Sequence, residues 1–356
     1  MALLLAKIKT FMNKIEQLFD AEYVRRLLSR KILSLYPYYQ RIEKVKIIPH
    51  KKHVWEATYH VVVEFLVYFV TTEKAVHKLS IFCSAHSNEN RKNVYDSLEF
   101  LWNSGFADEH FSIPRPLFYS SYFNGTFYRG VAGYNLNYYI STKNHAEIEK
   151  IVPQAAKWFA KLHNLKGVER FDYNTENGRI RTVIPGVDNI FHEIKRKYPH
   201  YLNFYERAYN IFISQEEKFL NGTDARWLIH GDAHPENIIK MNDIKTAVID
   251  FTDMSLADFT RDLGCFLQQF EYMGVQKKKL DPDYVAQIKK LFLDNYFANS
   301  SVKLDASVQV RIDNYYNWTM MRTITYLLTA GVINRDEAKM GKINDLINLL
   351  KNNLGI

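Results

Sequence analysis

Glycine is absent from the first 104 residues of this 356-residue chain; the first is Gly105. A glycine-rich turn that wraps backbone amides round a phosphate therefore cannot occur there, and any anion bound in that stretch must be held by side chains. Cysteine is nearly as scarce. Cys83 and Cys265 lie far apart in apolar segments, the pattern of two reduced core thiols in a cytoplasmic protein rather than of a disulfide framework. No Cys/His group has the spacing of a zinc site, and no apolar run approaches the ~18 residues of a membrane span. Met1-Ala-Leu-Leu-Leu-Ala-Lys is too short for the apolar core of a signal peptide. No repeat or low-complexity tract occurs, and no nucleic-acid module with base-reading residues is present, which removes specific nucleic acid from the partners. What remains is an ordinary globular composition, 47% hydrophobic and 24% charged, long enough for one large or two medium cores.

Charge is distributed unevenly. Residues 1–52 hold twelve Lys/Arg and four Asp/Glu, a balance of +8, so the rest of the chain sums to zero. Leu4, Ile8, Phe11, Ile15 and Leu18 fall on one helical face, and the stretch from Tyr23 to Leu33 repeats the pattern. This basic head reads as helices docked on the following domain with solvated lysines. Contact of residues 1–35 with an anionic membrane surface, or with a nucleic-acid or acidic partner through charge alone, is the alternative. Residues 222–273 hold nine acids and four bases, a balance that suits a magnesium site and also favours a cationic acceptor.

From the end of the basic head onward, Val45-Lys-Ile-Ile, the run Tyr59 to Val70 and the run Ala75 to Phe82 are β-branched and aromatic and hence strands. A helix follows from about Asn88 to Asn103 and stops at Gly105. Farther on, 145–165, 187–219, 263–273, 282–299, 306–330 and 335–353 read as helices.

The chemistry is concentrated in Trp227-Leu-Ile-His230-Gly-Asp232-Ala-His-Pro-Glu-Asn237 and in Thr246-Ala-Val-Ile-Asp250-Phe251. Asp232 and Asn237 stand five positions apart in a loop that closes one strand, and Asp250 ends a second apolar run. Four fixed residues (His, Gly, Asp, Asn) at one position in twenty each would arise by chance in roughly two of a thousand chains of this length. A transferred phosphoryl group carries much negative charge, so positioning and charge neutralisation supply most of its rate. Magnesium takes oxygen ligands and keeps several waters, so one carboxylate and one amide suffice beside nucleotide phosphates. Asp250 and Asn237 fit that role, and Asp232 that of the group accepting the proton of an attacking hydroxyl. His230 and Gly231 shape the loop.

This pattern resembles that of the aminoglycoside phosphotransferase and choline kinase superfamily, which reads His-Gly-Asp, four residues, Asn, then Ile-Asp-Phe. Tyr128-Arg129-Gly-Val131-Ala-Gly133-Tyr-Asn-Leu136 is similar to the family's crossing from small to large lobe. Phe159-Ala-Lys-Leu162-His163 resembles its Leu-His helix, and Ala257-Asp258-Phe-Thr-Arg-Asp262-Leu its bracing Asp-Leu segment. The similarity spans about residues 125 to 270. It implies Asp232 as the catalytic Asp, Asn237 and Asp250 as metal ligands, Asp262 as the brace of the catalytic loop, and Arg129 and Val131 on the nucleotide side. It implies ATP or GTP with Mg2+ as cofactors and a two-lobed α+β protein-kinase-like fold, with a small β-rich N-lobe, a mostly helical C-lobe and the active cleft between them. The expected division is 1–52 as a basic helical extension packed on the N-lobe, 53–132 as the N-lobe and 133–356 as the C-lobe.

Departures fall in the small lobe. Lys51, Lys52 and His53, between the first two strands, stand where a phosphate-covering loop would, or form a solvated basic turn. Lys78, on a strand face with Val76 and Ser80, is the candidate phosphate-gripping lysine, or a surface lysine. Val94 stands where its acidic partner is expected, with Asp96 and Glu99 as substitutes. Thr252 replaces the family's Gly after Asp-Phe and restricts that loop. His234 either touches the transferred phosphate or packs the loop; Asp253 touches metal-bound water or caps the next helix, the cap being favoured; Asp258 is brace or surface. The aromatic segments 134–139 and 313–322 read as core before substrate wall. The expectation is a nucleotide-dependent phosphotransferase acting on a hydroxyl of a small molecule such as a sugar, amino alcohol or aminoglycoside-like acceptor. A catalytically impaired kinase-like binding module is the alternative.

Overall fold

The computed structural model describes residues 13–89, 91–169, 173, 175–329 and 337–356, and the chain divides into two compact units, Met1–Ala132 and Gly133–Ile356. An antiparallel sheet dominates the first and helices the second, the α+β class expected. Among the described residues, no helix is long and apolar enough to cross a membrane.

The first unit contains α1 (Ala21–Ile32), β1 (Tyr39–Val54), β2 (Tyr59–Thr71), β3 (Val76–His86), α2 (Arg91–Asn103), β4 (Phe111–Ser112), β5 (Arg115–Ser120) and β6 (Gly125–Arg129). Its main sheet has the order β1-β2-β3-β6-β5, every neighbour antiparallel. Along β2 the side chains alternate between two faces as strand geometry requires. Val61, Val63, Phe65, Val67 and Phe69 are buried in one core with Val24, Leu27, Leu28 and Ile32 of α1. Asp20 caps α1, accepting from the backbone N–H of Glu22 and Tyr23. Cys83 and Cys265 are both free and buried.

The basic head departs from the expectation of a helical 1–52. Helix ends at Ile32, a short turn follows, and residues 39–54 form the edge strand β1, paired with β2 over its whole length. The strand expected at Val45 to Ile48 is therefore the middle of a longer one, with Ile42 and Val45 facing the core and the lysines and arginines around them on an edge, where charge opposes further pairing. Ile15 and Leu18 of the anticipated helical face are buried on a 3-10 turn, Lys14–Phe19; Leu4, Ile8 and Phe11 lie outside the described residues.

The second unit contains β7 (Tyr134–Asn135), α3 (Leu136–Ser141), α4 (His145–His163), α5 (Val187–Lys197), α6 (Leu202–Gly222), β8 (Trp227–Ile229), β9 (Ile238–Lys240), β10 (Thr246–Val248), β11 (Ser255–Ala257), α7 (Thr260–Glu271), α8 (Pro282–Asn299), α9 (Ala306–Thr329) and α10 (Glu337–Leu354). The single helix expected over 187–219 is two, because Pro199 cannot continue α5 and opens a 3-10 turn instead. Residues of α5, α6, α9 and α10 share one core, with Tyr205, Tyr209, Tyr315 and Trp318 inside it. Helix α7 lies close on α9: a Cβ at Gly264 would come within 2.6 Å of the Tyr316 backbone N. Gly264 thus permits an approach that any side chain would prevent.

Candidate active site

Short antiparallel strands of the second unit hold the loops that carry the motif. β8 pairs with β11, and β9 pairs with both β10 and β7. Loop 230–237 joins β8 to β9, and loop 249–254 joins β10 to β11. Gly231 adopts φ +84°, and a Cβ there would run into the backbone carbonyl of Asp253. The two loops therefore meet at the one residue that tolerates both the backbone angle and the contact.

Asp262, at the start of α7, is fully buried. Its Oδ2 accepts from the His230 backbone N–H (2.7 Å) and its Oδ1 from that of Gly231 (2.9 Å). His163 Nε2 lies 3.1 Å from Oδ2, and His163 Nδ1 lies 2.8 Å from the Tyr296 hydroxyl. Burial pushes the Asp262 carboxyl up, but the hydrogen bond and charge of His163 outweigh it, and the net position is below the ordinary carboxylate range. His230 is also fully buried: Nε2 stands 2.9 Å from the Ile249 carbonyl, and Nδ1 accepts from the Asp232 backbone N–H at 3.3 Å. His230 therefore ties the first loop to the end of β10.

Asp232 remains partly exposed, with Oδ2 3.2 Å from His234 Nε2. Burial raises its carboxyl, and the hydrogen bond and charge of His234, with lesser contributions from Arg322 and His230, more than reverse that, leaving it well below its usual value. His234 moves the other way: burial lowers the imidazole, the Asp232 carboxylate outweighs it, and the net is upward. Asn237 is buried and its Nδ2 donates to the Asp232 carbonyl (2.9 Å), so its Oδ1 is left to accept or ligate. Its own carbonyl accepts from Ile249 N–H (3.0 Å), which sets Asn237 beside Asp250 at the end of the β9–β10 hairpin. Asp250 is exposed at φ +65°, a region costly for most residues and best tolerated by Asn and Asp. Thr252 Oγ donates to Asp250 Oδ1 at 2.8 Å. The unusual φ is carried by Asp250, so Thr252 is compatible with this loop and supports the carboxylate rather than restricting it.

The arrangement brings Asp232, Asn237 and Asp250 together. Among the described residues, no group of three or more His, Cys, Asp or Glu is placed to hold a metal by itself. The Asn237 amide oxygen and the Asp250 carboxylate, carried at the joined ends of β9 and β10, are of the oxygen type that a magnesium ion takes alongside water and phosphate. Asp253 does not cap a helix: β11 intervenes, and α7 begins at Thr260. It sits instead near Asp232, and burial, then the Asp232 charge, raise its carboxyl. Asp258 is buried and pairs with Arg311 (2.7 Å).

The nucleotide-side candidates belong to the first unit. Lys51 and Lys52 lie within β1, since the turn after it is Trp55 to Thr58. Lys52 reaches Glu16 (3.2 Å) and the Phe19 ring. Lys51 pairs with Val62, and Lys78 with Tyr68. Those partners are six positions apart on one face of β2, so the two lysines stand roughly 20 Å apart and cannot grip one phosphate. Asp96 pairs with Lys92, and Glu99 accepts from the Tyr95 hydroxyl, so both substitute acids are engaged on their own helix. Arg129 ends β6 opposite Ile81, and Val131 follows it, partly buried. Of the aromatic segments, 313–322 supplies core residues Tyr315 and Trp318, while Tyr134 and Tyr138 stack at 4.3 Å with both rings largely exposed.

Two features lay beyond sequence reasoning. The His163–Asp262 contact was signalled only by the Leu-His segment, without its partner. Arg322, whose charge reaches Asp232 and Asp253, has no motif around it.

Comparison with known proteins gives a family and a fold. The model of the phosphotransferase enzyme family matches residues 60–287. No curated protein sequence matches the chain. Among solved structures, the amicoumacin kinase hAmiN is similar at 14% identity and a TM-score of 0.55, over 93% of this chain and 95% of that one. A choline/ethanolamine kinase family protein from Mesorhizobium loti is similar at 14% identity and a TM-score of 0.53, over 94% of each chain. The choline kinase LicA from Streptococcus pneumoniae is similar at 15% identity and a TM-score of 0.51, over 93% of this chain and 99% of that one.

Proposed function

This chain belongs to the phosphotransferase enzyme family, and from that membership we propose that it moves the γ-phosphoryl group of ATP or GTP to a hydroxyl of a small molecule. The observation that carries the reading is the Asp232–Asn237–Asp250 constellation, held from behind by Asp262. Asp232 takes the proton of the attacking hydroxyl; a new bond forms between that oxygen and the γ-phosphorus, and the bond to the nucleoside diphosphate breaks. A base must be ionised to act, which an aspartate is at neutral pH, and the net downward shift of Asp232 keeps it so. Asp262 fixes where Asp232 stands by holding two consecutive backbone amides of its loop. Asn237 and Asp250 are the residues that would hold Mg2+, which when bound neutralises phosphate charge and orients the transfer.

Asp232→Asn tests the assignment. With the melting curve unchanged, nucleoside diphosphate release should fall ~10²- to 10⁴-fold; turnover equal to wild type would end the assignment. The local engagement of Asp96 and Glu99 favours one second reading, a kinase-like module that binds without turnover. Mg·ATP or Mg·GTP stabilisation with no diphosphate release across sugars, amino alcohols and aminoglycosides would establish it.

A further inference from the structure

Where residues 1–12 join the rest of the chain, two aromatic rings stand in water. Trp55, on the turn between β1 and β2, is 59% exposed, and Tyr122, on the turn between β5 and β6, is 50% exposed. Single exposed aromatics are ordinary on a protein surface, but these two are gathered by one short segment. Asn13 Nδ2 donates to the Trp55 carbonyl at 3.0 Å, while Asn13 Oδ1 caps the turn Lys14–Phe19 by accepting from the Ile15 N–H. Gln17 Nε2 donates to the Tyr122 hydroxyl at 3.0 Å, and Lys14 Nζ lies 5.4 Å from the centre of that ring. Ile15 and Leu18 anchor the segment in the core, so the root of residues 1–12 is fixed beside both turns.

Residues 1–12 read Met-Ala-Leu-Leu-Leu-Ala-Lys-Ile-Lys-Thr-Phe-Met, seven large apolar side chains with two lysines and no acid. Apolar side chains interspersed with lysines suit the boundary between lipid headgroups and acyl chains, where the lysines snorkel to the headgroups. Charge points the same way. Residues 1–52 carry +8 and the remaining residues sum to zero, so the attraction for an anionic surface belongs to this end of the chain. Of the acids beside the two turns, Glu16 is already paired with Lys52 (3.2 Å) and Glu56 is exposed. A nucleic acid would satisfy the lysines and leave the apolar side chains and both rings without a partner. A bilayer satisfies all of them: Trp and Tyr favour the headgroup level, and an apolar insertion joined to a basic patch is the pair of signals that stable anchoring needs.

We propose that residues 1–12, with Lys14, Trp55 and Tyr122 around their root, form a surface that docks on an anionic lipid bilayer. The proposal is independent of the phosphotransferase reading, since it draws on no residue of the second unit.

Flotation of the full chain with lipid vesicles tests it. The chain should rise with phosphatidylcholine vesicles that contain phosphatidylglycerol and stay behind with phosphatidylcholine alone, and raised NaCl should weaken the retention. Deleting residues 1–12 should lower the partition coefficient at least ~10-fold. Lys14→Gln should lower it about fivefold, the worth of one cation near an anionic surface. Trp55→Ser combined with Tyr122→Ser should lower it several-fold at an unchanged melting temperature; this full-length variant answers the question even where the truncated chain fails to fold. No rise with either vesicle, an equal rise with both, or retention unchanged by the deletion or by the paired serines would overturn the proposal. Equal binding of the full and truncated chains to a duplex oligonucleotide, as tight as to the anionic vesicles, would assign the patch to polyanions instead and overturn it as well.

Discussion

At the scale of single residues the site is governed by what a buried carboxylate does to the backbone around it. Asp262 satisfies two consecutive amides that would otherwise be orphaned in the interior. Asp262→Ala should cost roughly 3–5 kcal/mol, the usual loss when one partner of a buried ionic network is removed, measured by urea unfolding. The sign with pH follows from its lowered folded pKa. A depressed carboxylate contributes fully above its unfolded value of about 3.9 and loses that contribution as pH falls through the folded value. The gap between wild type and variant should hold from pH 8 to about 5 and close only below about 4; a gap closing near neutrality would contradict this assignment. Gly231→Ala should be destabilising by about 1–3 kcal/mol and should depress turnover with it, since both φ +84° and the Asp253 carbonyl oppose a Cβ. An alanine variant as stable as wild type would mean that the loops do not meet there. These residues were legible as letters, because the His-Gly-Asp pattern is local. The role of Asp262 reached the page only through resemblance, because nothing in its own surroundings names the amides it holds 31 and 32 positions upstream.

At the scale of elements, three-residue strands do what long helices cannot: they set two loops in register. The pairing Ile238↔Val248 carries Asn237 to Ile249 and hence to Asp250. The helices supply the frame, and their ends followed ordinary chemistry. Asp281 caps α8 through the N–H groups of Asp283 and Tyr284 at 2.8 and 3.0 Å. Asp281→Ala should therefore lower stability by about 0.5–2 kcal/mol, shifting the denaturation midpoint without changing its slope or kcat/KM. A change in activity larger than twofold would show that α8 does more than frame the site. Proline explains why 187–219 is two helices; within β1 only Val45 to Ile48 announced a strand, and the charged residues on either side join it because their pairing partner lies in β2.

At the scale of the whole molecule, the division into units at Ala132/Gly133 separates the lysine-bearing sheet from the loops that carry Asp232 and Asp250. Lys51 and Lys78 are too far apart along β2 to serve one phosphate, so nucleotide affinity should depend on at most one of them. Chelation with EDTA should abolish diphosphate release, and added MgCl2 should restore it, if Asn237 and Asp250 hold the ion. Stabilisation at a nucleotide concentration one hundred times Kd should be about 2.7 kcal/mol, and it should require the metal. Neither Mg·ATP nor Mg·GTP raising the melting temperature would remove the nucleotide from the proposal.

From its letters alone this chain determined the kinase-like α+β class, the motif and the order of most helices, because strand alternation, helix periodicity and a loop motif are all short-range patterns. Tertiary structure decided what those patterns could not contain: that β1 is an edge strand, that Asp253 feels the Asp232 charge and precedes a strand instead of a helix, and that the charge of Arg322, ninety positions downstream of Asp232, acts on it. The physical reason is common to all three. Burial and electrostatic pairing act through space, and the partner that gives each of these residues its role lies on a segment that no local spacing connects to it.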